Sequence, residues 1–191
     1  MSADKQHDGY LLGQLLIAMP GMTDPRFSES VIYLCAHNED GAMGLVVNKL
    51  MGSLSFAELL QQMKIDPGAA GSKVEVHFGG PVESGRGFVL HSTDYNSEET
   101  MRVNNDFALT ATIDVLKSIA GGEGPVNAMF ALGYAGWAAG QLDSEMQNNG
   151  WLNCAADSGI VFGEDNKAKW KSAAAKMGVD LSLLTSDVGH A

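Results

Sequence analysis

The chain has 191 residues, 45% of them apolar and 18% charged, with 12 basic side chains against 23 acidic ones and a net charge of −11. One domain of this length buries roughly 70% of the surface its unfolded form exposes, so stability requires neither a disulfide nor a metal. The acidic balance works against a duplex-binding surface, which needs clustered Lys and Arg to release counterions; the two distant cysteines, Cys35 and Cys154, form no C-x-x-C and fit reduced thiols in a cytosolic protein.

Residues 1–12 read as a flexible N-terminal tail running into the domain. The apolar stretch 10–19 is interrupted by Gln14 and preceded by Asp8; it is too short to span a bilayer and lacks the basic flank of a signal peptide. A cytoplasmic protein without membrane contact is expected. Residues 14–19 (QLLIAM) form a buried strand stopped by Pro20-Gly21, and 22–30 (MTDPRFSES) is a loop in which Arg26 and Phe27 follow the turn-favouring Asp24-Pro25. Strands at 30–36 and 43–48 flank the short turn HNEDG and make an antiparallel hairpin. Cys35 lies in the first of these as a small hydrophobe.

Ser55 and Glu58 match a capping box that opens a helix with Leu59, Leu60 and Met63 on its apolar stripe, ending near Lys64. Residues 74–78 (VEVHF) alternate as a strand, with Val74, Val76 and Phe78 on one face and Glu75 and His77 on the other. The glycine-rich stretch 79–86 connects it to a strand at 87–92, and 100–103 is a further short strand. A helix over 112–120 closes at Gly121-Gly122, and a strand over 126–134 follows. Strands are expected at 151–154 and 160–162. An amphipathic helix over 166–177 presents Trp170, Ala174 and Met177 on one face and stops at Gly178. Its lysines, Lys167, Lys169, Lys171 and Lys176, read as a solvated face. Hairpins mixed with irregularly placed helices argue for α+β rather than a βαβ array.

The stretch 132–152 (LGYAGWAAGQLDSEMQNNGWL) organises the chain. Gly133, Gly136 and Gly140 fall three and four apart, a spacing that places them on one helical face or its approach. Glycine costs a helix about 0.5–1 kcal/mol against alanine, so three together imply close contact with either backbone or a ligand. Trp137, Gln141 and Glu145 then fall on one line at i, i+4 and i+8. A tryptophan beside glycines makes one wall of a pocket with Gln141 as polar reader, or packs into the core while the glycines let the helix lie close on the sheet.

Other constellations are weaker. The segment 79–87 (GGPVESGRG) lacks both the Walker pattern and G-x-G-x-x-G in register, and it leads into a strand rather than a helix N-terminus. His37, His77 and His91 sit in or beside strands with no zinc-ligand spacing, where the polar face of a strand is the default. His91 and Ser92 point to opposite faces and make no nucleophile–base pair. Asp157, after two alanines, is the carboxylate in the most apolar setting.

The pieces LLIAMPGMTDPRFSESVIYLCAHNEDGAMGLVVNK (15–49), FGGPVESGRGFVLHS (78–92), LGYAGWAAGQLDSEMQNNGWL (132–152) and the closing GHA (189–191) together resemble the YqgE/AlgH family of bacterial proteins along nearly the whole chain. The departures are mild: Ala138-Ala139 stands where the family often has glycine or proline, and Asp143 where it usually has glutamate. The resemblance implies a single α+β domain with a mixed, barrel-like β-sheet flanked by helices, and it brings no established biochemical activity. Family members are often labelled transcriptional regulators through a link to exopolysaccharide production, a label with no DNA-binding motif behind it.

The expected function is a non-catalytic binding or regulatory protein with indirect effects on transcription, its partner an unidentified protein or small ligand. No direct nucleic-acid contact, cofactor, metal or catalytic residue is expected. The alternative is an enzyme or small-ligand sensor using the 79–81 turn and the 133–145 segment. The candidate ligand- or partner-binding residues are Arg26, Gly79, Gly80, Pro81, His91, Gly136, Trp137 and Gln141.

Overall fold

The computed structural model describes residues 9–184. The closing residues 189–191 and the first part of the N-terminal tail lie outside them.

Two apolar runs set the frame. The strands β1 (Gln14–Ala18) and β2 (Val31–Asn38) pair antiparallel with Leu16 opposite Ile32, and they bury residues on both faces. A two-residue turn at Glu39-Asp40 leads into β3 (Gly41–Val46), and the register shifts between Leu34 and Ala36, where Cys35 makes a bulge. Burial pushes the Cys35 thiol up to about 12, so it stays an unreactive core group. The helix α1 (Phe56–Gln62) starts at the predicted capping box: Ser55 Oγ accepts from the Glu58 backbone N–H at 3.1 Å, and Glu58 Oε2 accepts from the Ser55 backbone N–H at 2.9 Å. One-turn α2 (Gly68–Gly71), β4 (Val76–Phe78), β5 (Val82–His91), β6 (Met101–Arg102), β7 (Ala108–Thr110) and α3 (Ile113–Ala120) follow. The chain continues through β8 (Ala128–Ala138), α4 (Gln141–Gln147), β9 (Trp151–Ala155), α5 (Ser158–Val161), α6 (Lys169–Lys176) and α7 (Leu181–Leu184).

Nine strands form one curled, half-barrel sheet in the order β6-β7-β5-β8-β3-β2-β1-β9, with β4 beside β8 as its one parallel pair among the described residues. This is the α+β, mixed and helix-flanked single domain expected. Because successive strand residues face opposite ways, the sheet carries core on both sides. Leu15, Ile17, Tyr33, Leu45, Phe88 and Phe107 pack under α6 with Trp170, Ala173 and Ala174. On the other side Leu16, Ile32, Leu34, Val46 and Ala135 pack with Leu142 of α4, while Val89, Phe130 and Leu132 pack with Phe56 and Val115 of α1 and α3. Among the described residues no helix is long and apolar enough to cross a membrane.

Several local expectations need correction. Gly133 lies in the expected strand, but β8 runs on to Ala138, held by β3, so Gly136 is in the strand too and only Gly140 belongs to the helix, as its N-cap with φ of +72°. Residues 160–162 are not a strand, because Asp157 Oδ1 accepts from Gly159 N–H at 2.7 Å and caps α5 instead. Ala108–Thr110 forms a strand that the sequence pattern does not predict, paired with β5 and β6.

The lysine face is not wholly solvated. Lys169 is buried, and its Nζ donates to the carbonyls of Val47 at 2.8 Å and Val161 at 2.9 Å, tying α5 and α6 to the end of β3. The histidines are not on polar faces either. His37, His77 and His91 are all buried: both ring nitrogens of His77 and His91 have hydrogen-bond partners, and His37 Nδ1 accepts from the Leu11 backbone N–H at 2.9 Å. On α6, Trp170 and Ala174 are buried as predicted, but Ala173 joins them while Met177 is exposed.

Candidate functional site

Five of the candidate residues come together. Arg26, Pro81, Gly136, Trp137 and Gln141 line one cleft of about 420 Å3, with Met22, Asp24, Phe27, Val82, Glu145, Asn148, Gly150 and Trp151 completing its walls. Three separate segments deliver them: the β1–β2 loop, the β4–β5 turn, and the run from β8 through α4 into β9.

The last of these builds the floor. β8 delivers Trp137, the left-handed Gly140 reverses the chain, and α4 places Gln141 and Glu145 back over the strand end. Glu145 Oε2 accepts from Trp137 Nε1 and from Trp151 Nε1, each at 2.9 Å, and its Oε1 accepts from Gln141 Nε2 at 3.0 Å. Gln141 Oε1 in turn accepts from the Ala138 backbone N–H at 3.0 Å. The predicted line of Trp137, Gln141 and Glu145 therefore exists, but as a strand end folded under a helix rather than as one helical face. Trp137 is 7% and Trp151 3% exposed, so these indole N–H groups need the carboxylate as their acceptor.

The turn before β5 forms a second wall. Gly79 bridges two strands: its N–H donates to the Leu132 carbonyl at 2.9 Å, and its carbonyl accepts from Val46 N–H at 2.8 Å. A side chain on Gly79 would meet the Gly133 carbonyl, and one on Gly80 would meet the Tyr134 carbonyl. Both glycines thus serve close backbone approach and lie buried behind the cleft, where they set Pro81 at its edge. Gly136 has side-chain space limited by the Tyr134 ring at 3.3 Å and is exposed to the cleft.

The third wall is the β1–β2 loop. Arg26 grips Asp24 in a fork, Nε to Oδ1 at 3.0 Å and Nη2 to Oδ2 at 2.7 Å, while its own backbone N–H donates to Oδ1 at 3.0 Å. The Arg26 side-chain bond, helped by its backbone N–H, holds the Asp24 carboxyl below the usual range, and the same bond raises Arg26. The pair is exposed, so its contribution to stability is small. Arg26 also lies 5.6 Å from the Phe27 ring centroid, and Phe27 meets Trp151 edge-on at 6.0 Å.

His91 lies elsewhere. It is fully buried in β5, where Nδ1 donates to the Ser92 carbonyl at 2.7 Å and Nε2 accepts from the Thr110 hydroxyl at 2.8 Å. Its burial lowers its pKa and makes it a satisfied core histidine. Asp24, Phe27 and Trp151 are cleft residues that sequence reasoning passed over; the second tryptophan, following Asn-Asn-Gly after Glu145, was the available signal. Among the described residues no three His, Cys, Asp or Glu side chains group as a metal site.

Comparison with known proteins agrees with the fold. A family model described as AlgH-like matches residues 15–182. A UPF0301 protein of Rhodospirillum rubrum is 51% identical over 187 residues, covering 98% of this chain and 97% of its own. One from Afipia carboxidovorans is 54% identical over 190 residues, covering 95% and 90%. The solution structure of the AlgH protein from Pseudomonas aeruginosa superposes with a TM-score of 0.78 at 44% identity, over 100% of this chain and 99% of that one. A crystal structure from Corynebacterium diphtheriae, 18% identical over 91% of each chain with a TM-score of 0.72, shares the fold alone. The chain belongs to the AlgH-like family.

Proposed function

We propose that this chain is a non-catalytic binding or regulatory protein of the bacterial cytoplasm, and that the cleft between the β1–β2 loop, the β4–β5 turn and α4 receives a small ligand or a group from a partner protein. The observation that carries this reading is the convergence of Arg26, Pro81, Gly136, Trp137 and Gln141 on one concave, aromatic-walled surface. The cleft's polar groups favour binding over acid–base chemistry, since Glu145 is held by two indoles and an amide and Asp24 is held by Arg26. Any effect on transcription is indirect on this reading, because a net charge of −11 repels the phosphate backbone.

Gly136→Val tests it. Valine suits a strand and narrows the cleft beside the Tyr134 ring without touching the hydrogen-bonded floor. The immobilised parent chain should retain a protein or small molecule from bacterial lysate that Gly136→Val does not. Equal retention by both, or substrate turnover dependent on cleft residues, would contradict the reading.

A further inference from the structure

Glu145 brings a negative charge into the cleft that no positive group offsets. Its three hydrogen-bond donors, the indoles of Trp137 and Trp151 and the amide of Gln141, are all neutral. Among the described residues no Lys, Arg or His nitrogen lies within 4.0 Å of this carboxylate. The cleft's own cation, Arg26, is committed to Asp24. The titratable groups lining the cleft are Asp24, Arg26 and Glu145, so the site carries one carboxylate more than it has cations.

Two aromatic rings bond this carboxylate through their N–H edges, and a third packs on one of them. Trp137 and Trp151 meet at 6.1 Å with planes 79° apart, and Phe27 meets Trp151 at 6.0 Å and 69°. All three residues line the cleft, so a positive group bonded to this carboxylate would sit beside aromatic rings, which attract cations. Phe27 already carries the Arg26 guanidinium in this way.

The hydrogen-bond count limits which cation fits. A carboxylate has about four lone-pair positions. Two on Oε2 are taken by the indoles and one on Oε1 by Gln141, which leaves a single position on Oε1. A guanidinium binding as a fork needs two acceptors. An alkylammonium takes that one position with one of its three donors and leaves the others to water.

We infer that the cleft between Phe27, Trp137 and Trp151 is a site for an alkylammonium group, bonded to Oε1 of Glu145 and flanked by the aromatic walls, the group coming from a free amine or from a lysine side chain of a partner. This rests on the cleft being a binding site and narrows it to one charge and one head-group shape.

The experiment titrates the full chain with n-butylammonium, n-butylguanidinium and neutral n-butanol, following the indole N–H signals of Trp137 and Trp151 by NMR, and repeats the series with Glu145→Gln. Glutamine keeps the size and one carbonyl acceptor for the indoles. Butylammonium should saturate both signals at a concentration roughly tenfold or more below butanol, and Glu145→Gln should remove that advantage, as expected for loss of a charge-assisted bond. A lysine tripeptide and free 1,4-diaminobutane, run beside it, distinguish a partner's side chain from a free amine by which saturates first. Equal response to ammonium and alcohol, preference for guanidinium, full retention in Glu145→Gln, or silence toward all probes overturns the inference. If Glu145→Gln fails to fold, the comparison of probes on the parent decides alone. The broader reading fails separately, when Gly136→Val leaves retention from lysate unchanged.

Discussion

Trp137 and Trp151 donate their indole N–H groups to one and the same oxygen, Oε2 of Glu145, each at 2.9 Å. One indole comes from the end of β8 and the other from the start of β9, with the acceptor on the helix between them. A single carboxylate thereby ties a strand, a helix and a second strand into one unit, and that unit is the floor of the cleft.

Removing the carboxylate should therefore cost fold stability as well as any ligand. Glu145→Ala leaves two nearly buried indole donors without an acceptor, and an unsatisfied buried polar group costs about 1–3 kcal/mol. Urea unfolding should show a loss in that range or above it, with Glu145→Gln losing less. A change within about 0.5 kcal/mol, the range of an ordinary surface substitution, would mean that the indoles find other partners.

Lys169 makes a prediction in pH. Burial lowers its ammonium from the ordinary 10.5 to about 8, with Glu75 acting in the opposite direction. His77, lining the same cavity, has its own pKa lowered by burial and by Lys169. Between about pH 8 and 10.5 the unfolded chain holds a proton at this lysine that the folded chain has released, so stability from this group rises with pH across that window. Below pH 8 both states are protonated and the contribution is flat. Measured as parent minus Lys169→Met, unfolding free energy should climb from pH 8 to 10; a flat or falling difference would contradict the buried cation.

Two glycines share a positive φ but differ in whether a side chain would also meet backbone. At Gly140 a methyl group meets nothing within 4 Å, yet φ is +72°, so Gly140→Ala should lose about 1–2 kcal/mol through left-handed strain alone. At Gly80 a methyl group falls on the Tyr134 carbonyl, so Gly80→Ala should destabilise far more and lower the yield of folded chain. Thermal melts check both. Equal melting temperatures for the two variants would refute the distinction.

Interactions within a few residues were legible before any coordinates. The Ser55–Glu58 capping box, the turn ahead of Gly41 and the stop at Gly178 (φ +70°) depend on neighbours in sequence, and all three are present. Whatever depended on distant partners was not. The spacing of Gly133, Gly136 and Gly140 mimics a helical face, yet Gly133 serves the backbone of Gly80 from within a strand. Lys169 sits among other lysines, and nothing in that spacing reveals the Val47 and Val161 carbonyls that bury it. The cleft lay in between: Arg26, Pro81 and Trp137 stood out one by one as loop or glycine-flanked residues, while their convergence required the curl of the sheet. His91 stood out equally and belongs to the core.

Direct DNA binding supplies a further check. With its net charge of −11 and Lys169 withdrawn from the surface, the chain should bind duplex DNA no tighter than roughly 10⁻⁵ M at physiological salt. Fluorescence anisotropy with labelled duplexes measures this. A sequence-specific complex of nanomolar affinity that persists at that salt would overturn the proposal that any effect on transcription is indirect.

The most direct test of the cleft reads the chain's three indole N–H signals while size-fractionated bacterial lysate is added. Trp137 and Trp151 share Glu145 in the cleft, whereas Trp170 donates to the Ala18 carbonyl at 2.8 Å and serves as an internal control. Some fraction should move the Trp137 and Trp151 signals together, leave Trp170 in place, and lose its effect on Gly136→Val. Movement of Trp170 alone, or all three signals unmoved by every fraction, would contradict the cleft as the binding site.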